Sequence, residues 1–218
     1  SEGLLKLARS LQPGIIVDDR LDLRDVEGGW DFTTPEQVKV EKWPEYKGKK
    51  IPWETCQTFS GSWGYYRDEY TWKSPEQLIE LLIESVSKGG NLLLNVGPTA
   101  RGTFDYRAQE RLKAMGDWMK FNSRSIYGCT EAPAEFTPPA NTLLTYNPSK
   151  KTLYVHLLAY PLNRINIAGM ADKVKYIQFL HDASEIRYSV IQGTDIIALQ
   201  LPVLKPPVEV PVIEIFLK

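Results

Sequence analysis

Four residues in the first third of the sequence have side chains suited to proton transfer on, or binding of, a hydroxylated ligand. Glu36, in the stretch WDFTTPEQ, and Glu54, in PWETC, carry carboxyl groups that can exchange a proton with a reacting oxygen. Arg20 offers a rigid fork of donors for hydroxyl or carboxylate groups, and Trp63, in SGSWGYY, offers a flat apolar ring that suits a sugar. These residue types are compatible with a carbohydrate site.

Each candidate also has a structural interpretation. Arg20 ends a predicted strand, where it can pair with a neighbouring aspartate, and the Thr-Pro-Glu sequence around Glu36 is a common helix start. Glu54 follows Trp53, and a carboxyl group beside an indole can keep its proton near neutral pH. It can equally be a buried ion-pair partner of Arg67. The residue pattern alone leaves these alternatives open.

Other kinds of chemistry have little support in the sequence. His156 and His181 both fall in predicted strands and are interpreted as structural. Cys56 and Cys129 are far apart and lack metal-ligand spacing, which favours single buried thiols over a disulfide or a zinc site. The sequence contains no phosphate-binding loop, dinucleotide fingerprint or nucleophile elbow. We therefore expect neither a metal nor an organic cofactor.

Composition narrows the classes of partner. The chain has 218 residues, 43% hydrophobic and 24% charged, and a net charge of −1, so no basic field favours nucleic acid or an anionic membrane. No apolar run approaches the roughly 20 residues that span a bilayer. We expect no nucleic-acid or membrane partner. The lack of a permitted Asn-x-Ser/Thr sequon favours a bacterial protein, whether secreted, periplasmic or cytoplasmic, over a lysosomal one.

Helices and strands alternate in the first part of the chain. SEGLLKLARSL predicts a helix capped by Ser1, and GIIVDDR predicts a strand buried on both faces. Residues 21–52 are predicted to form a long polar connection above the strands, and this connection contains WDFTTPEQ. WETCQTF and NLLLNVGP predict further strands. Between them Ser74 starts a helix with a capping box, and a second helix is predicted from Tyr106 to Phe121.

The sequence changes character after residue 131. Seven short β-rich runs separated by turn residues predict an antiparallel β-sandwich over residues 132–218. The three or so strand–helix units of residues 1–131 are too few to close a barrel. They fit the C-terminal half of a (β/α)8-like barrel, whose active site lies at the carboxyl ends of the strands. We therefore expect an α/β part followed by an all-β domain.

Three stretches resemble one enzyme family. WETCQTFSGSWGYYRDE, LLIESVSKGGNLLLNVGPTARGTFD and QERLKAMGDWMKFNSRSIYG are similar to glycoside hydrolase family 29, the α-L-fucosidases. The similarity runs from Ser1 to about Glu131, and the family's barrel is followed by a β-sandwich. The resemblance implies hydrolysis of terminal α-L-fucose from fucosylated glycans with retention of configuration, without a metal or cofactor.

The resemblance also implies roles for individual residues. Arg20 corresponds to the family's fucose-contacting arginine, and Trp63 to the aromatic residue that lines the fucose pocket. Glu36 matches the general acid/base of the WDFxTxE type of motif, and Glu54 is the alternative found in other branches. The family's nucleophilic aspartate belongs to an upstream motif, and neither Asp18 nor Asp19 replaces it.

We therefore expect the N-terminal half of the same barrel as a partner of this chain, which by itself is catalytically incomplete. Two alternatives stay open. One is a non-catalytic carbohydrate-binding or structural fragment, with the sandwich as the working part. The other is a retaining glycosidase for another sugar, such as a β-galactosidase, because GGNLLLNVGP argues for the fold more strongly than for the substrate. The linkage preference and the oligomeric state are not encoded in any motif.

Overall fold

The computed structural model describes residues 1–218 and contains three α-helices and twelve strands. The helices are α1 (Glu2–Leu11), α2 (Pro75–Ser87) and α3 (Tyr106–Asn122). The strands are β1 (Glu45–Tyr46), β2 (Lys49–Lys50), β3 (Glu54–Thr58), β4 (Asn91–Asn95), β5 (Thr130–Glu131), β6 (Thr142–Asn147), β7 (Thr152–Leu157), β8 (Arg164–Ile167), β9 (Val174–Phe179), β10 (Tyr188–Val190), β11 (Ile197–Gln200) and β12 (Val212–Leu217). Short 3-10 helices occupy Asp19–Leu21 and Ser123–Ser125. No helix is both long and apolar enough to cross a membrane.

The first part of the chain is organised around a small parallel sheet. Strands β3 and β4 pair in parallel, with Glu54 opposite Asn91. The stretch WDFTTPEQ, predicted as part of a loop, extends this sheet instead. Its residue Thr33 accepts a hydrogen bond from the Glu54 amide at 3.0 Å, and Pro35 accepts one from the Cys56 amide at 3.0 Å. The alternative of a helix start around Glu36 was therefore wrong, and the predicted loop is bonded to β3 without forming a regular strand.

Proline explains why this segment was hard to recognise as a strand. The Thr33 amide donates to the Pro52 carbonyl, two residues before β3, and the Gln37 amide donates to the Cys56 carbonyl within β3. Pro35, between them, has no amide hydrogen to donate. The ladder is interrupted there, and only isolated parallel bridges join Thr33 to Trp53 and Glu36 to Cys56.

The segment GIIVDDR, predicted as a buried strand, pairs with its neighbour only over residues 17–18. It contributes one parallel bridge, from Asp18 to Phe32, and one backbone bond, from the Asp31 amide to the Val17 carbonyl at 2.7 Å. Ile16 is 71% exposed, so the segment is not covered on both faces. Four parallel segments therefore lie side by side, in the order 17–18, 31–37, β3 and β4.

Helix α2 shows the predicted start. The Ser74 hydroxyl accepts from the Gln77 amide at 3.2 Å, and the Gln77 side chain accepts from the Ser74 amide at 2.8 Å, which completes the capping box. Gly90 follows the helix because a Cβ there would stand 2.1 Å from the ring of Trp53. The helix and β3 are thereby held in close contact.

Helix α1 was predicted with an apolar face, but this face is largely uncovered. Leu5 is buried, whereas Leu4 is 63%, Leu7 55% and Leu11 78% exposed. Ser1 occupies the N-cap position without a side-chain capping bond. The apolar stripe of this helix has no partner within the chain.

The second part is an antiparallel β-sandwich, and each of the seven predicted runs contains a strand. One sheet has the order β5-β6-β7-β12-β9 and the other β10-β11-β8. Seventeen buried apolar residues, including Leu153, Ile167 and Ile213, fill the space between the sheets. A second cluster joins α2 and α3 to the outer face of the larger sheet, where the Trp118 indole donates to the Val210 carbonyl at 3.0 Å. The sandwich therefore supports the helices that support the parallel sheet.

Candidate active site

One cleft brings together all four residues singled out from the sequence. It has a volume of about 440 Å³ and lies on the face of the parallel sheet opposite α2. Its lining residues are Asp18, Arg20, Thr34, Glu36, Glu54, Cys56, Trp63 and Leu93. Thr34 and Glu36, like Glu54 and Cys56, are two positions apart. Side chains at this spacing in an extended chain point to the same face of the sheet.

All three nitrogen atoms of the Arg20 guanidinium donate hydrogen bonds to the neighbouring segment, 31–37. Its Nη1 donates to Glu36 Oε2 at 2.7 Å, its Nε to Thr34 Oγ1 at 2.7 Å and its Nη2 to the Thr34 carbonyl at 2.7 Å. The hydrogen bond to Glu36 is the main cause that raises the pKa of Arg20. The alternative of a pair with a neighbouring aspartate is not what forms, since Asp18 accepts from the Arg20 backbone amide instead.

Asp19 forms the buried support beneath this pair. Its carboxylate accepts from the Thr33 hydroxyl at 2.7 Å and the Thr34 amide at 3.1 Å, and it pairs with Arg24 at 2.8 Å. Burial acts to raise the pKa of Asp19, but the hydrogen bonds from Thr33 and Thr34 and the charge of Arg24 together lower it. Asp19 therefore locks the first two parallel segments together and is turned away from the cleft.

Glu54 lies in the cleft without either of the neighbours proposed for it. Trp53 points to the opposite face of the sheet, where it is 2% exposed and its indole donates to the Lys88 carbonyl at 3.0 Å. Arg67 pairs with Asp68 at 3.1 Å on the surface. The predicted ion pair with Arg67 was therefore wrong, and alternation along β3 places the Trp53 ring on the face opposite Glu54.

The two carboxyl groups stand at different levels of the sheet. Glu36 is bridged to Cys56, whereas Glu54 is the first residue of β3, two positions earlier on the same strand. In a parallel sheet the later level is nearer the carboxyl ends of the strands, so Glu36 lies nearer that rim than Glu54. The expectation that the polar residues lie at the carboxyl ends therefore fits Glu36 better than Glu54.

Cys56 is a cleft residue that the sequence analysis did not select. Burial is the largest cause that raises the pKa of its thiol, followed by the negative charge of Glu36, and Glu54 adds to the effect. The thiol is thus in the electrostatic range of both carboxylates. The alternation of Glu54, Cys56 and Thr58 on one strand is the signal that identifies it. Both thiols are partly exposed rather than buried, and burial raises the pKa of Cys129 to about 11.

Trp63 forms the wall beyond the end of β3. Its side chain is 41% exposed, and its backbone carbonyl accepts from the Asn95 side chain at 2.6 Å. His156, in contrast, is fully buried in β7, and His181 follows the end of β9. No group of three or more His, Cys, Asp or Glu side chains is arranged to hold a metal ion.

A larger cavity of about 530 Å³ lies elsewhere, between α3 and residues 205–209. It contains none of the residues predicted for chemistry. We therefore take the cleft around Arg20 and Glu36 as the candidate active site on the strength of its residues rather than its size.

Comparison with known proteins identifies the family. The family model described as Alpha-L-fucosidase matches residues 1–124 of the chain. The chain belongs to the α-L-fucosidase family. The resemblance inferred from the motifs is thereby confirmed.

The relatives of this fucosidase-family chain are longer than it is. Tissue alpha-L-fucosidase of Mus musculus is 32% identical over 205 residues, which cover 89% of the chain and 44% of that protein. Plasma alpha-L-fucosidase of Homo sapiens is 39% identical over 113 residues, which cover 50% of the chain and 24% of that protein. The chain therefore spans less than half the length of these curated relatives.

Solved structures of fucosidases share the fold. Alpha-L-fucosidase isoenzyme 1 from Paenibacillus thiaminolyticus superposes with a TM-score of 0.89 at 32% identity, over 99% of this chain and 53% of that one. The Thermotoga maritima alpha-fucosidase in complex with fucose gives a TM-score of 0.75 at 26% identity, over 95% and 46% of the two chains. The fold of this fucosidase-family chain is a mixed α/β part followed by a β-sandwich, and its own strands do not close a barrel.

Proposed function

We propose that the intact protein is a retaining α-L-fucosidase that removes terminal α-L-fucose from glycans, with Glu36 as its general acid/base. The observation that carries the proposal is the cleft itself. It brings a carboxyl group, a cationic fork bonded to it and a half-exposed indole to one concave surface of a fucosidase-family chain.

In this proposal the chain supplies the C-terminal half of a (β/α)8-like barrel. The parallel sheet ends at residues 17–18 on one side and at β4 on the other, and its inner face leaves Leu93 51% exposed. In a barrel both edges are paired and the interior is filled. The bare leucines of α1 fit the same interpretation. The N-terminal half would cover these surfaces and bring the nucleophilic aspartate.

The proposed reaction uses two carboxyl groups about 5–5.5 Å apart. The upstream aspartate attacks the anomeric carbon while Glu36 protonates the departing glycosidic oxygen, and a covalent fucosyl-enzyme forms. Glu36 then takes a proton from water as the water hydrolyses that intermediate. We assign this role to Glu36 rather than Glu54 because Glu36 lies nearer the rim, where the leaving sugar departs. Glu54 is the alternative.

Arg20 and Trp63 are proposed as substrate contacts. The guanidinium donates to hydroxyl groups of fucose, and the indole packs against an apolar face of the sugar ring. Arg20 Nη1 also donates to Glu36 Oε2 at 2.7 Å, so the same guanidinium orients the proposed acid/base.

The division of the chain into residues 1–131 and 132–218 remains part of the proposal. Strand β5, at Thr130–Glu131, pairs with β6 and so links the two parts at the boundary. No cofactor takes part in the proposed mechanism.

Hydrolysis of 4-nitrophenyl α-L-fucoside by the intact polypeptide tests the function. We expect turnover with the α-anomer of fucose as the first product seen by proton NMR, and no comparable turnover of 4-nitrophenyl β-galactoside. First release of the β-anomer contradicts retention. Preference for the galactoside supports another sugar specificity, and fucose binding without turnover supports the non-catalytic alternative.

A further inference from the structure

Glu69 is a buried carboxylate that closes the loop of residues 60–72, which carries Trp63. Glu69 is 8% exposed. Its Oε1 accepts from the Thr71 amide at 2.8 Å and the Thr71 hydroxyl at 2.6 Å, and its Oε2 accepts from the Ser62 hydroxyl at 2.9 Å. Because Ser62 and Thr71 lie at opposite ends of the loop, one carboxylate ties these ends together.

The same hydrogen bonds keep Glu69 charged. The bonds from the side chain and the amide of Thr71 are the largest causes, and the pKa of Glu69 is lowered to about 2. A carboxylate in this state is a poor proton donor or acceptor near neutral pH. Glu69 also does not line the cleft around Arg20 and Glu36. Its position is therefore explained by its contacts with the loop rather than by acid–base chemistry.

Helix α3 holds the loop from outside. Arg107 donates to the backbone carbonyl of Glu69 at 2.8 Å and to that of Arg67 at 3.0 Å. The orientation of its guanidinium is fixed by bonds of 2.8 and 3.0 Å to Asp105 and by the ring of Trp72, 5.0 Å away. The loop backbone thus has a second, independent attachment.

The end of β4 holds the loop from inside. The Asn95 side chain donates to the Trp63 carbonyl at 2.6 Å. A Cβ on Gly97 would stand 2.5 Å from the backbone of Gly64 and Tyr65, so only glycine permits this approach. Trp63 is 41% exposed, so it is not enclosed by the core, and the backbone that carries it is fixed through its carbonyl.

We propose that Glu69 is a positioning residue for the fucose site, because its carboxylate holds the 60–72 loop in the conformation that presents Trp63 to the cleft. The proposal rests on the proposed function of the cleft. Glu69 lies outside the lining of the cleft and acts through Ser62, Thr71 and the loop backbone.

Kinetics of the intact protein on 4-nitrophenyl α-L-fucoside test this proposal. We expect Glu69→Gln to lower kcat/KM by about tenfold, since a small misplacement of a binding group is enough for such a loss. Trp63→Ala should cause a similar or larger loss. The double variant should be no worse than Trp63→Ala alone, because both changes remove one interaction.

Glu84→Gln is the matched control. Glu84 is also a shielded glutamate, 12% exposed in its side chain and paired with Lys39, but it lies on α2 away from the cleft. Its replacement should leave kcat/KM within about twofold, as expected for a change outside the site. Thr71→Val, which removes the hydroxyl, should lower kcat/KM, whereas Thr71→Ser, which keeps it, should retain the wild-type value. This pair tests the same contact if Glu69→Gln does not fold.

Hydrogen exchange separates this proposal from the proposed function. In Glu69→Gln or Thr71→Val the amides of residues 60–72 should exchange faster, while those of the sandwich strands stay unchanged. Unchanged exchange in the loop, additive losses in the double variant, or a Glu69→Gln enzyme equal to Glu84→Gln would overturn the positioning role. A wild-type protein without fucosidase activity would contradict the proposed function, and loop exchange would still decide the role of Glu69.

Discussion

Nη1 of Arg20 lies 2.7 Å from Oε2 of Glu36, and this contact joins two neighbouring parallel segments at the cleft. Both side chains remain about half exposed, 46% and 45%, so the pair faces the space where a ligand would bind. The guanidinium of Arg20 therefore fixes the position of the Glu36 carboxyl group in the cleft.

Arg20→Lys should keep the positive charge and lose the fork. One ammonium group cannot reproduce the three bonds to Thr34 and Glu36. We expect kcat/KM on 4-nitrophenyl α-L-fucoside to fall about tenfold to a hundredfold, the usual cost of lost charged hydrogen bonds. Arg67→Lys, at an exposed pair with Asp68, serves as the control and should have no effect. Wild-type kinetics in Arg20→Lys would show that the fork is not needed.

Asp19→Asn should reduce stability because an amide cannot accept every bond that the buried carboxylate accepts and loses the pair with Arg24. We expect the free energy of unfolding to fall by about 2 kcal/mol in urea titrations of the intact protein. Asp68→Asn, at an exposed ion pair, should change it by less than about 0.5 kcal/mol.

The pH dependence of Asp19 follows from the sign of its shift. The pKa of Asp19 is lower in the folded state, so its stabilising effect is present above the unfolded value of 3.8 and is lost as the pH falls below it. The acid sensitivity of the wild type should therefore exceed that of Asp19→Asn. Equal losses of stability on acidification would contradict this account.

His156 should make the protein less stable in mild acid. Its Nε2 lies 2.9 Å from the Thr145 hydroxyl, which itself donates to the Ser125 carbonyl, so Nε2 carries the proton of a neutral ring. Burial lowers the pKa of His156 to about 3. Below the unfolded value of about 6.5 the unfolded chain binds a proton that the folded chain does not bind.

Stability should therefore decrease as the pH falls from 6.5 to 4.5, with a slope of up to about 1.4 kcal/mol per pH unit from this residue. Urea unfolding followed by tryptophan fluorescence measures the slope. His156→Gln retains a donor for Thr145 and should show a smaller slope in this range. Identical slopes in the two proteins would exclude His156 as the cause.

The sandwich strands were predictable because alternation and turn residues are local signals. Thr142–Asn147 and Thr152–Leu157, for example, appear where the sequence places them. The parallel segment around Glu36 was not, because Pro35 interrupts its pairing and its partners in β3 are distant in sequence. The Arg20–Glu36 contact depends on that unrecognised pairing. The position of Cys56 in the cleft, however, was predictable from the sequence, because Cys56 lies two residues after Glu54 on the same strand.

The partner of the exposed leucines of α1 could not be predicted from the sequence. Periodicity predicts which side of a helix is apolar, but not what covers it. Here Leu4, Leu7 and Leu11 form the expected stripe and remain bare within the chain. The proposed N-terminal half of the barrel gives this surface a partner.

The most direct test of the central claim compares Glu36→Ala with Glu54→Ala in the intact protein, using fucosides with good and poor leaving groups. If Glu36 is the acid/base, Glu36→Ala should lose most activity on poor leaving groups, which need protonation, and azide should restore turnover of the activated substrate as fucosyl azide. Glu54→Ala should change mainly KM or stability. Azide rescue and leaving-group dependence in Glu54→Ala, but not in Glu36→Ala, would contradict the assignment.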